Sequence, residues 1–300
     1  MLTTTELRNV AKRSGARDIG NVEIDIILTH ILQLFHERGL LEHLAFKGGT
    51  MLRKMVFGPR GRLSTDLDFT KRSAIDGDDL LLEIATILHD APYQGITFQI
   101  ERNKDWYRIG DGLSANPLCT HEANKTGVRV KIQVSTRESP IFPVVPTPQL
   151  EQDYFKLLPF APADIPCLAF EEIVAEKIRA ASQRSKVRDL HDLSEIAKRP
   201  IDRDIIRSLT VLKLWGVGDG LSFARFRDGI KSADYDVDDL RMLLRRDEAP
   251  DLKALVGRVL DRFQFLDQPT DAERALAADS RGALRDEASA LVNRLRGDRA

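Results

Sequence analysis

The sequence predicts an α+β fold in which a sheet with helices is followed by a mainly helical half. Three observations predict it. Apolar residues in the first half alternate with polar ones or form short runs, which is typical of strands. Four prolines fall between Pro140 and Pro148, and beyond them apolar residues recur at helical spacing. A chain of 300 residues favours two lobes of ordinary domain size.

Two helices, a buried strand and a glycine turn open the chain. Thr5 is the expected N-cap of the first helix, which ends near Gly15, and Asn21 is the expected N-cap of the second. Residues 44–46 predict a short buried strand that stops at Gly48-Gly49, where a new helix begins. The elements expected from there are helices over 50–56 and 79–89 and strands over 63–69, 97–101, 106–109 and 127–137.

A proline-rich connector, residues 140–150, is predicted to separate an N-terminal lobe (1–139) from a C-terminal lobe (151–300). Proline lacks a backbone donor, so this density of prolines favours an extended segment over a central strand or a helix. The helices expected beyond it cover 168–183, 187–198, 204–215, 238–246 and 251–265, with one or two more within 271–295.

The charge of the whole chain predicts no nucleic-acid partner, because 45 basic and 46 acidic residues give a net charge of −1. Basic residues nevertheless cluster near the glycine turn. We interpret them as a basic rim suited to polyanionic substrates, and a solvated basic loop is the alternative. The cluster comprises Lys47, Arg53, Lys54, Arg60, Arg62, Lys71 and Arg72.

Cysteine usage and the N-terminus predict the cellular location. Cys119 and Cys167 lack metal-ligand spacing and are expected to be reduced thiols. The first residues lack the basic-then-apolar order of a signal peptide, and no apolar run is long enough to span a bilayer. We therefore expect a cytoplasmic protein without a membrane partner.

The segment from the glycine turn to Asp68 carries the strongest functional signal. Gly48-Gly49 lets backbone N–H groups approach a phosphate at a helix start, next to Lys47 and Thr50. Asp66 and Asp68 alternate on a predicted strand, so both carboxylates project to one face and can hold a divalent metal. Together these features predict nucleotide chemistry. The alternative is an ordinary tight turn near a surface pair of acids.

Lys177 is a second, separate signal. It falls on a helical stripe with Phe170, Val174 and Ala181, at a position where an apolar residue is expected. A buried ammonium needs an anionic partner or ligand, and a triphosphate would serve. Snorkelling to solvent, or a pair with a nearby glutamate, is the alternative.

Arg188, Asp189 and Asp192 open the next predicted helix. An acid preference at helix starts and a pair between Arg188 and Asp192 explain them structurally. A functional hypothesis has Asp189 orient Lys177, bind a second metal or hold an acceptor hydroxyl. His191 forms no hydrolase dyad with Asp192, because neighbouring helix positions point apart. The absence of GxxxxGKS/T and GxGxxG argues against P-loop and Rossmann nucleotide binding.

Four segments resemble, in order and spacing, the AbiEii/AbiGii family of nucleotidyltransferase toxins, which includes the MenT-like toxins of mycobacteria. The resemblance covers about residues 40–200 and implies a DNA polymerase β-like nucleotidyltransferase fold, a mixed sheet with helices plus a C-terminal helical lobe. The segments are Lys47-Gly48-Gly49-Thr50, Ser64-Thr65-Asp66-Leu67-Asp68, Glu172-Ile173-Val174-Ala175-Glu176-Lys177 and Arg188-Asp189-Leu190-His191-Asp192-Leu193.

The resemblance implies a role for each matching site residue. Asp66 and Asp68 are catalytic and hold Mg²⁺, and Lys177 and Asp189 are a catalytic pair contributed by the second lobe. The implied contacts to the nucleoside triphosphate (NTP) are Lys47, Gly48, Gly49, Thr50, Ser64 and Arg188.

One position departs from the pattern of this fold. Nucleotidyltransferases of the fold often place a third carboxylate on a neighbouring strand, and the matching position is Gln133. A glutamine amide cannot act as a base or as an anionic metal ligand. Either Asp189 supplies that role, the family does not require it, or the activity is altered.

The predicted function is transfer of a nucleotide from an NTP to an RNA acceptor, with tRNA as the expected acceptor and a cognate antitoxin as partner. Two alternatives stay open. One is nucleotidylation of a protein or small molecule, and the other is a catalytically degenerate module that binds RNA or an antitoxin.

Overall fold

Residues 1–89, 91–101 and 104–297 are described by a computed structural model of mixed α and β structure, which confirms the predicted α+β class. The chain divides into two compact units. The first unit comprises Met1–Leu168 and Met242–Ala249, and the second comprises Ala169–Arg241 and Pro250–Ala300.

The strands lie in the first unit together with four helices. The helices are α1 (Thr4–Ser14), α2 (Ile19–Glu37), α3 (Gly48–Met51), which continues as a π-helical run (Leu52–Phe57), and α4 (Gly77–Leu88). The strands are β1 (Leu44–Lys47), β2 (Asp66–Lys71), β3 (Ala91–Tyr93), β4 (Ile96–Gln99), β5 (Trp106–Ile109), β6 (Gly112–Ala115), β7 (Leu118–His121), β8 (Asn124–Arg129), β9 (Lys131–Ser135), β10 (Val145–Thr147) and β11 (Ile165–Cys167).

The larger sheet is mixed, as the family resemblance implies. Its strand order is β10-β11-β1-β2-β9-β6-β5. Strand β1 is parallel to β11, and β2 is parallel to β9, whereas the other neighbours are antiparallel. A second sheet, β3-β4-β7-β8, is antiparallel throughout. Strands β1 and β2 therefore lie inside the larger sheet, where backbone pairing on both sides holds them in place.

The prediction of one strand over 127–137 is wrong. The segment contains the end of β8 and the whole of β9, which belong to different sheets and are separated at Val130. Val130 itself is buried, and its N–H donates to the carbonyl of Pro117 rather than to a strand partner. Val130 is apolar like Val128 and Ile132 on either side, so apolar and polar residues alternate without interruption from one strand into the next. The alternation therefore does not reveal where the first strand ends.

The helix caps are displaced from the predicted ones. Thr3, rather than Thr5, caps α1 in a capping box with Glu6, and Asp18, rather than Asn21, caps α2. Both α1 and its predicted end near Gly15 are nevertheless present, since Gly15 takes φ +70° at the C-cap.

Residues 140–150 belong to the first unit. Strand β10 lies within them at the edge of the larger sheet and pairs with β11, and the units divide between Leu168 and Ala169. Pro146 is compatible with β10 because an edge strand can leave a backbone donor position unpaired. The sequence placed the change of lobe at these prolines.

An aromatic cluster fixes β1 and β2 against α2. The ring of Phe69 lies 5.3 Å from that of Phe46 and 6.3 Å from that of Phe35, centroid to centroid. All three side chains are fully buried, and such aromatic contacts stabilise a core beyond the apolar area that they bury. Lys47, which follows Phe46, and Asp68, which precedes Phe69, are therefore held next to a rigid core.

The second unit is helical, as the sequence predicts. Among the described residues of the C-terminal half, the helices are α5 (Phe170–Gln183), α6 (Val187–Ile196), α7 (Arg203–Trp215), α8 (Phe223–Ser232), α9 (Val237–Leu243), α10 (Leu252–Arg262), α11 (Asp271–Ala278) and α12 (Arg285–Gly297). Helix α8 was not expected. No helix in the described ranges is both long and apolar enough to cross a membrane.

Candidate active site

The glycine turn follows directly from β1. Lys47 ends β1 and is the N-cap of α3, so the chain turns at Gly48-Gly49 between strand and helix. Gly48 takes φ +80°, and a Cβ there would collide with the carboxylate of Asp68. Only glycine fits both the conformation and the contact. The turn and the second acid of the pair therefore touch.

The two acids alternate on β2 as predicted. Asp66 and Asp68 are half-buried, whereas Leu67 and Phe69 between and after them are buried in the core. The hydroxyl of Thr50 donates to the backbone carbonyl of Asp66 at 2.5 Å. Thr50 is itself buried, so its side chain fastens α3 to β2, and its backbone N–H is the group that can line a phosphate.

A row of polar side chains crosses the sheet at Asp68. Its register partners are Lys47 of β1 and Gln133 of β9, and Gln133 is in turn paired with Ser114 of β6. Residues paired in a sheet point to the same face, so these side chains share the face of the acids. Gln133 is exposed, and the neighbouring-strand position beside Asp68 therefore carries an amide rather than a third acid.

The pair of carboxylates fits a magnesium ion that is completed by substrate. In residues 1–89, 91–101 and 104–297, no group hydrogen-bonds to the side chain of Asp66. The same ranges contain no cluster of three or more His, Cys, Asp or Glu side chains suited to a metal. Mg²⁺ commonly takes one or two protein carboxylates and completes its shell with phosphates and water. Asp66 and Asp68 match that donor set.

Ser64 and an arginine that the sequence did not single out for the site lie at the turn. A Cβ on Gly49 would be 2.5 Å from Nη2 of Arg62 and 3.3 Å from Oγ of Ser64. Both side chains are buried, in the loop that leads into β2. The sequence offered a signal for Arg62 only as one member of a basic cluster.

The predicted basic rim is wrong for Arg53 and Lys54. Both are buried on the π-helical run and bind Asp25 of α2. Arg53 donates to both carboxylate oxygens of Asp25 at 3.2 Å, and Nζ of Lys54 lies 3.1 Å from Oδ1. Tyr154 donates its hydroxyl to Oδ2 at 3.0 Å. We call these four residues the Asp25 cluster.

The second set of predicted residues lies within the second unit, on α5 and α6. Nζ of Lys177 is 3.0 Å from Oδ1 of Asp189 and 2.7 Å from Oδ2 of Asp192. All three residues are buried, with Lys177 at 9% exposure. The expectation that this ammonium needs an anionic partner is met by two carboxylates of the chain itself. We call these three residues the Lys177 cluster.

Charged and polar neighbours tune Asp189. Burial raises the pKa of its carboxyl, but Lys177 and Arg184 outweigh burial, so the pKa lies below its ordinary value. Nε of Arg184 donates to Oδ2 at 2.8 Å. Burial, and then the charge of Asp189, raise the pKa of Tyr235 to about 12. Asp189 is therefore ionised at neutral pH and Tyr235 is not.

Arg188 does not form the predicted pair with Asp192. Its Nε lies 2.9 Å from Oδ2 of Asp239, at the start of α9. His191 and Asp192 are 3.8 Å apart at their nearest nitrogen and oxygen, which is too long for a hydrogen bond. Asp192 instead pairs with Lys177. The sequence missed this role because the spacing of Arg188 and Asp192 offered a simpler explanation.

The arrangement thus groups the predicted residues in two sets, one in each unit. The first holds Lys47, Gly48, Gly49, Thr50, Ser64, Asp66 and Asp68, and the second holds Lys177, Asp189 and, through a different partner, Arg188.

A mixed sheet with a glycine turn after one core strand and two alternating acids on the neighbouring core strand is typical of the class of nucleotidyltransferases. The family model described as "Nucleotidyl transferase AbiEii toxin, Type IV TA system" matches residues 31–291. The chain belongs to this AbiEii family of nucleotidyltransferase toxins.

The solved structure of one toxin agrees with that assignment. MenT4, a nucleotidyltransferase toxin from Mycobacterium tuberculosis H37Rv, is 27% identical, with a TM-score of 0.82 over 99% of this chain and 100% of that chain. JHP933 from Helicobacter pylori is 18% identical, with a TM-score of 0.49 over 86% of this chain and 97% of that chain. No curated protein matches the chain. The family assignment implies a nucleoside triphosphate substrate and an antitoxin partner.

Proposed function

We propose that the chain transfers a nucleotide from an NTP to an RNA acceptor, with tRNA as the acceptor and Mg²⁺ as the metal. One observation carries this proposal. The glycine turn lies directly against Asp68, next to the open carboxylate of Asp66, so groups that suit phosphates and groups that suit a metal adjoin. The alternation of the two acids on a core strand holds their carboxylates on one face.

In this reaction the protein positions the two substrates and stabilises charge, and it forms no covalent bond with either of them. The oxygen of an acceptor hydroxyl bonds to the α-phosphorus and gives its proton to water, the bond from that phosphorus to the bridging oxygen breaks, and pyrophosphate leaves. Backbone N–H groups at Gly48-Gly49 and the side chains of Lys47 and Ser64 would hold the phosphates. Mg²⁺ bound by Asp66 and Asp68 would neutralise phosphate charge.

The Lys177 cluster is proposed to serve the same reaction. Lys177 would stabilise charge that develops on the triphosphate, since a fixed cation in a largely buried site acts more strongly than one in water. Asp189 accepts a hydrogen bond from Nζ of Lys177 and so restricts where the ammonium can lie. Arg188, with its exposed edge beside Asp239, is proposed as a further nucleotide contact.

The proposed substrates also indicate where in the cell the protein acts. Nucleoside triphosphates and tRNA are cytoplasmic, so we propose that the chain acts in the cytoplasm, where a cognate antitoxin would neutralise it.

The experiment that tests the function uses four α-labelled NTPs with total tRNA and Mg²⁺. We expect one NTP or a subset to label RNA. Asp66→Ala should lower the rate by at least about a hundredfold, because it removes half of the proposed metal site. Asp79→Ala, an exposed acid on α4, is the matched control and should label RNA at the wild-type rate.

Each other result has a defined meaning. Equal labelling by wild type and Asp66→Ala would contradict the role of Asp66. Label that survives ribonuclease treatment would replace the RNA acceptor by a protein or small-molecule acceptor.

A degenerate binding module is the second candidate, because Gln133 occupies the register position beside Asp68. Under this alternative the wild type turns over no NTP, while Gln133→Asp gains metal-dependent turnover. Under the proposed function the wild type is active with glutamine at this position.

A further inference from the structure

Arg62 differs from three other basic residues near the glycine turn, Arg53, Lys54 and Arg60. Arg53 and Lys54 are bound to Asp25 in the core, and Arg60 is exposed. Arg62 is 5% exposed, yet its guanidinium lies against the turn itself: Nη2 would be 2.5 Å, and Cζ 3.4 Å, from a Cβ on Gly49. A buried cation is therefore held at the place where the proposed phosphates would bind.

Local bonding orients this guanidinium. Nη1 of Arg62 donates to the carbonyl of Leu63 at 3.1 Å. An arginine has five N–H donors in a planar fork, so it can keep such bonds and still bind phosphate oxygens. The hydroxyl of Ser64 lies beside it, 3.3 Å from the same Cβ position.

The reason for a glycine at position 49 is the space that Arg62 occupies rather than the backbone conformation. Unlike Gly48, it does not take a positive φ, so an alanine there is compatible with the backbone. The atoms that a Cβ would meet first all belong to the side chains of Arg62 and Ser64. The missing side chain leaves room for the guanidinium at the turn.

We propose that Arg62 is a substrate-binding residue that contacts the triphosphate of the NTP, and that Gly49 is required because it leaves the space in which the Arg62 guanidinium lies. The inference rests on the proposed function, since it assigns a contact to the same nucleotide. Arginine suits phosphate because its fork matches two oxygens at once, and such charge-assisted bonds are the strong ones.

The test measures binding of inorganic tripolyphosphate and of the active NTP to the full chain by calorimetry, together with KM and kcat for transfer. Loss of one charge-assisted contact corresponds to about a tenfold to hundredfold weaker binding. We expect that loss in Arg62→Ala and a smaller one in Arg62→Lys, which keeps the charge but not the fork. Arg8→Ala, which removes an exposed arginine of α1 outside the basic cluster, is the matched control and should bind as the wild type does.

A double-mutant cycle tests the role of Gly49. Gly49→Ala should weaken tripolyphosphate binding about as much as Arg62→Ala, and the double variant should be no worse than Arg62→Ala alone. Gly257→Ala, in α10 with open space around it, is the control for a glycine-to-alanine change.

The outcomes separate the inference from the function on which it rests. If the wild type transfers NTP while Arg62→Ala binds tripolyphosphate within twofold of it, the inference is overturned. Independent effects of Gly49→Ala and Arg62→Ala, which multiply in the double variant, would overturn the role of Gly49. If the wild type neither binds nor transfers any NTP, it is the proposed function that fails. Should Arg62→Ala fail to fold, Arg62→Lys and Gly49→Ala decide the question.

Discussion

The Asp25 cluster and the Lys177 cluster are both buried groups of opposite charges, but they differ in the number of cations per carboxylate and in solvent exposure. In the Asp25 cluster two cations bind one carboxylate, and neither Asp25 nor Lys54 has any exposed surface. In the Lys177 cluster one cation binds two carboxylates, and Lys177 keeps 9% of its surface exposed beside the largely exposed side chain of Arg184.

We propose that this difference separates a charge with a structural role, at Lys54, from one with a catalytic role, at Lys177. A lysine in an apolar environment is unusual in either place, so the anomaly alone does not identify function. Nζ of Lys54 donates to four acceptor atoms, which belong to Asp25, Thr29 and Tyr154. Its side chain has no exposed surface that a ligand could contact. The side chain of Lys177 is partly exposed, and we propose that its two carboxylate partners hold the ammonium in place until a more highly charged anion binds.

Asp25→Asn should have the largest effect on stability. It removes the charge that both cations bind and leaves Arg53 and Lys54 buried next to each other. Breaking a buried ion pair in this way costs about 3–5 kcal/mol in the free energy of unfolding, as measured by urea or guanidinium denaturation. A loss below about 1 kcal/mol would show that the cluster does not stabilise the fold.

Asp192→Asn should have a smaller effect, on the transfer rate. The amide keeps the shape of the carboxylate but loses the shorter of the two ion pairs to Lys177, at 2.7 Å. A charge-assisted bond of this kind corresponds to a drop in kcat of about tenfold to a hundredfold, with KM for the NTP changed less.

The control for Asp192→Asn is Asp204→Asn on α7. Asp204 also pairs with a basic residue, Arg207, but the side chain of Asp204 is 84% exposed. Exposed pairs contribute little, so this variant should keep the wild-type kcat. Equal kcat values for Asp192→Asn and Asp204→Asn would show that Asp192 does not support the role of Lys177 in transfer.

The pH dependence of stability should show the smallest effect. Burial raises the pKa of Asp25, but Arg53 and Lys54 outweigh it and lower the pKa to about 2. A depressed pKa means that the carboxylate contributes stability above about pH 4 and loses this contribution as pH falls towards 2. The difference in unfolding free energy between wild type and Asp25→Asn should therefore narrow by about 2 kcal/mol over that range. A constant difference would contradict the pairing.

The sequence predicts those parts of the fold and site that depend on local patterns. Strand β1, the glycine turn, the alternation of Asp66 and Asp68 and most helices of the second half follow from residue spacing. Lys177 was found because a cation interrupts an apolar stripe. The roles of these residues as a catalytic site stay proposals.

The features that the sequence did not predict depend on long-range contacts. Val130 marks a change of sheet that alternation conceals, and residues 140–150 contain an edge strand that prolines conceal. Asp25 is 28 residues from Arg53, and no local spacing connects them. The partners of Arg188 and Asp192 likewise follow from packing, because each had a plausible neighbour along its own helix.

The most direct test applies one substitution to both clusters. Lys54→Met and Lys177→Met each replace a buried ammonium by an apolar chain of similar length, and each variant is measured for unfolding free energy and for the rate of NTP transfer per folded molecule. We predict that Lys54→Met loses about 1–3 kcal/mol of stability and keeps its rate within about twofold. Lys177→Met should stay folded and lose about a hundredfold to a thousandfold in rate. A Lys177→Met variant that transfers nucleotide at the wild-type rate would contradict the functional assignment of the Lys177 cluster.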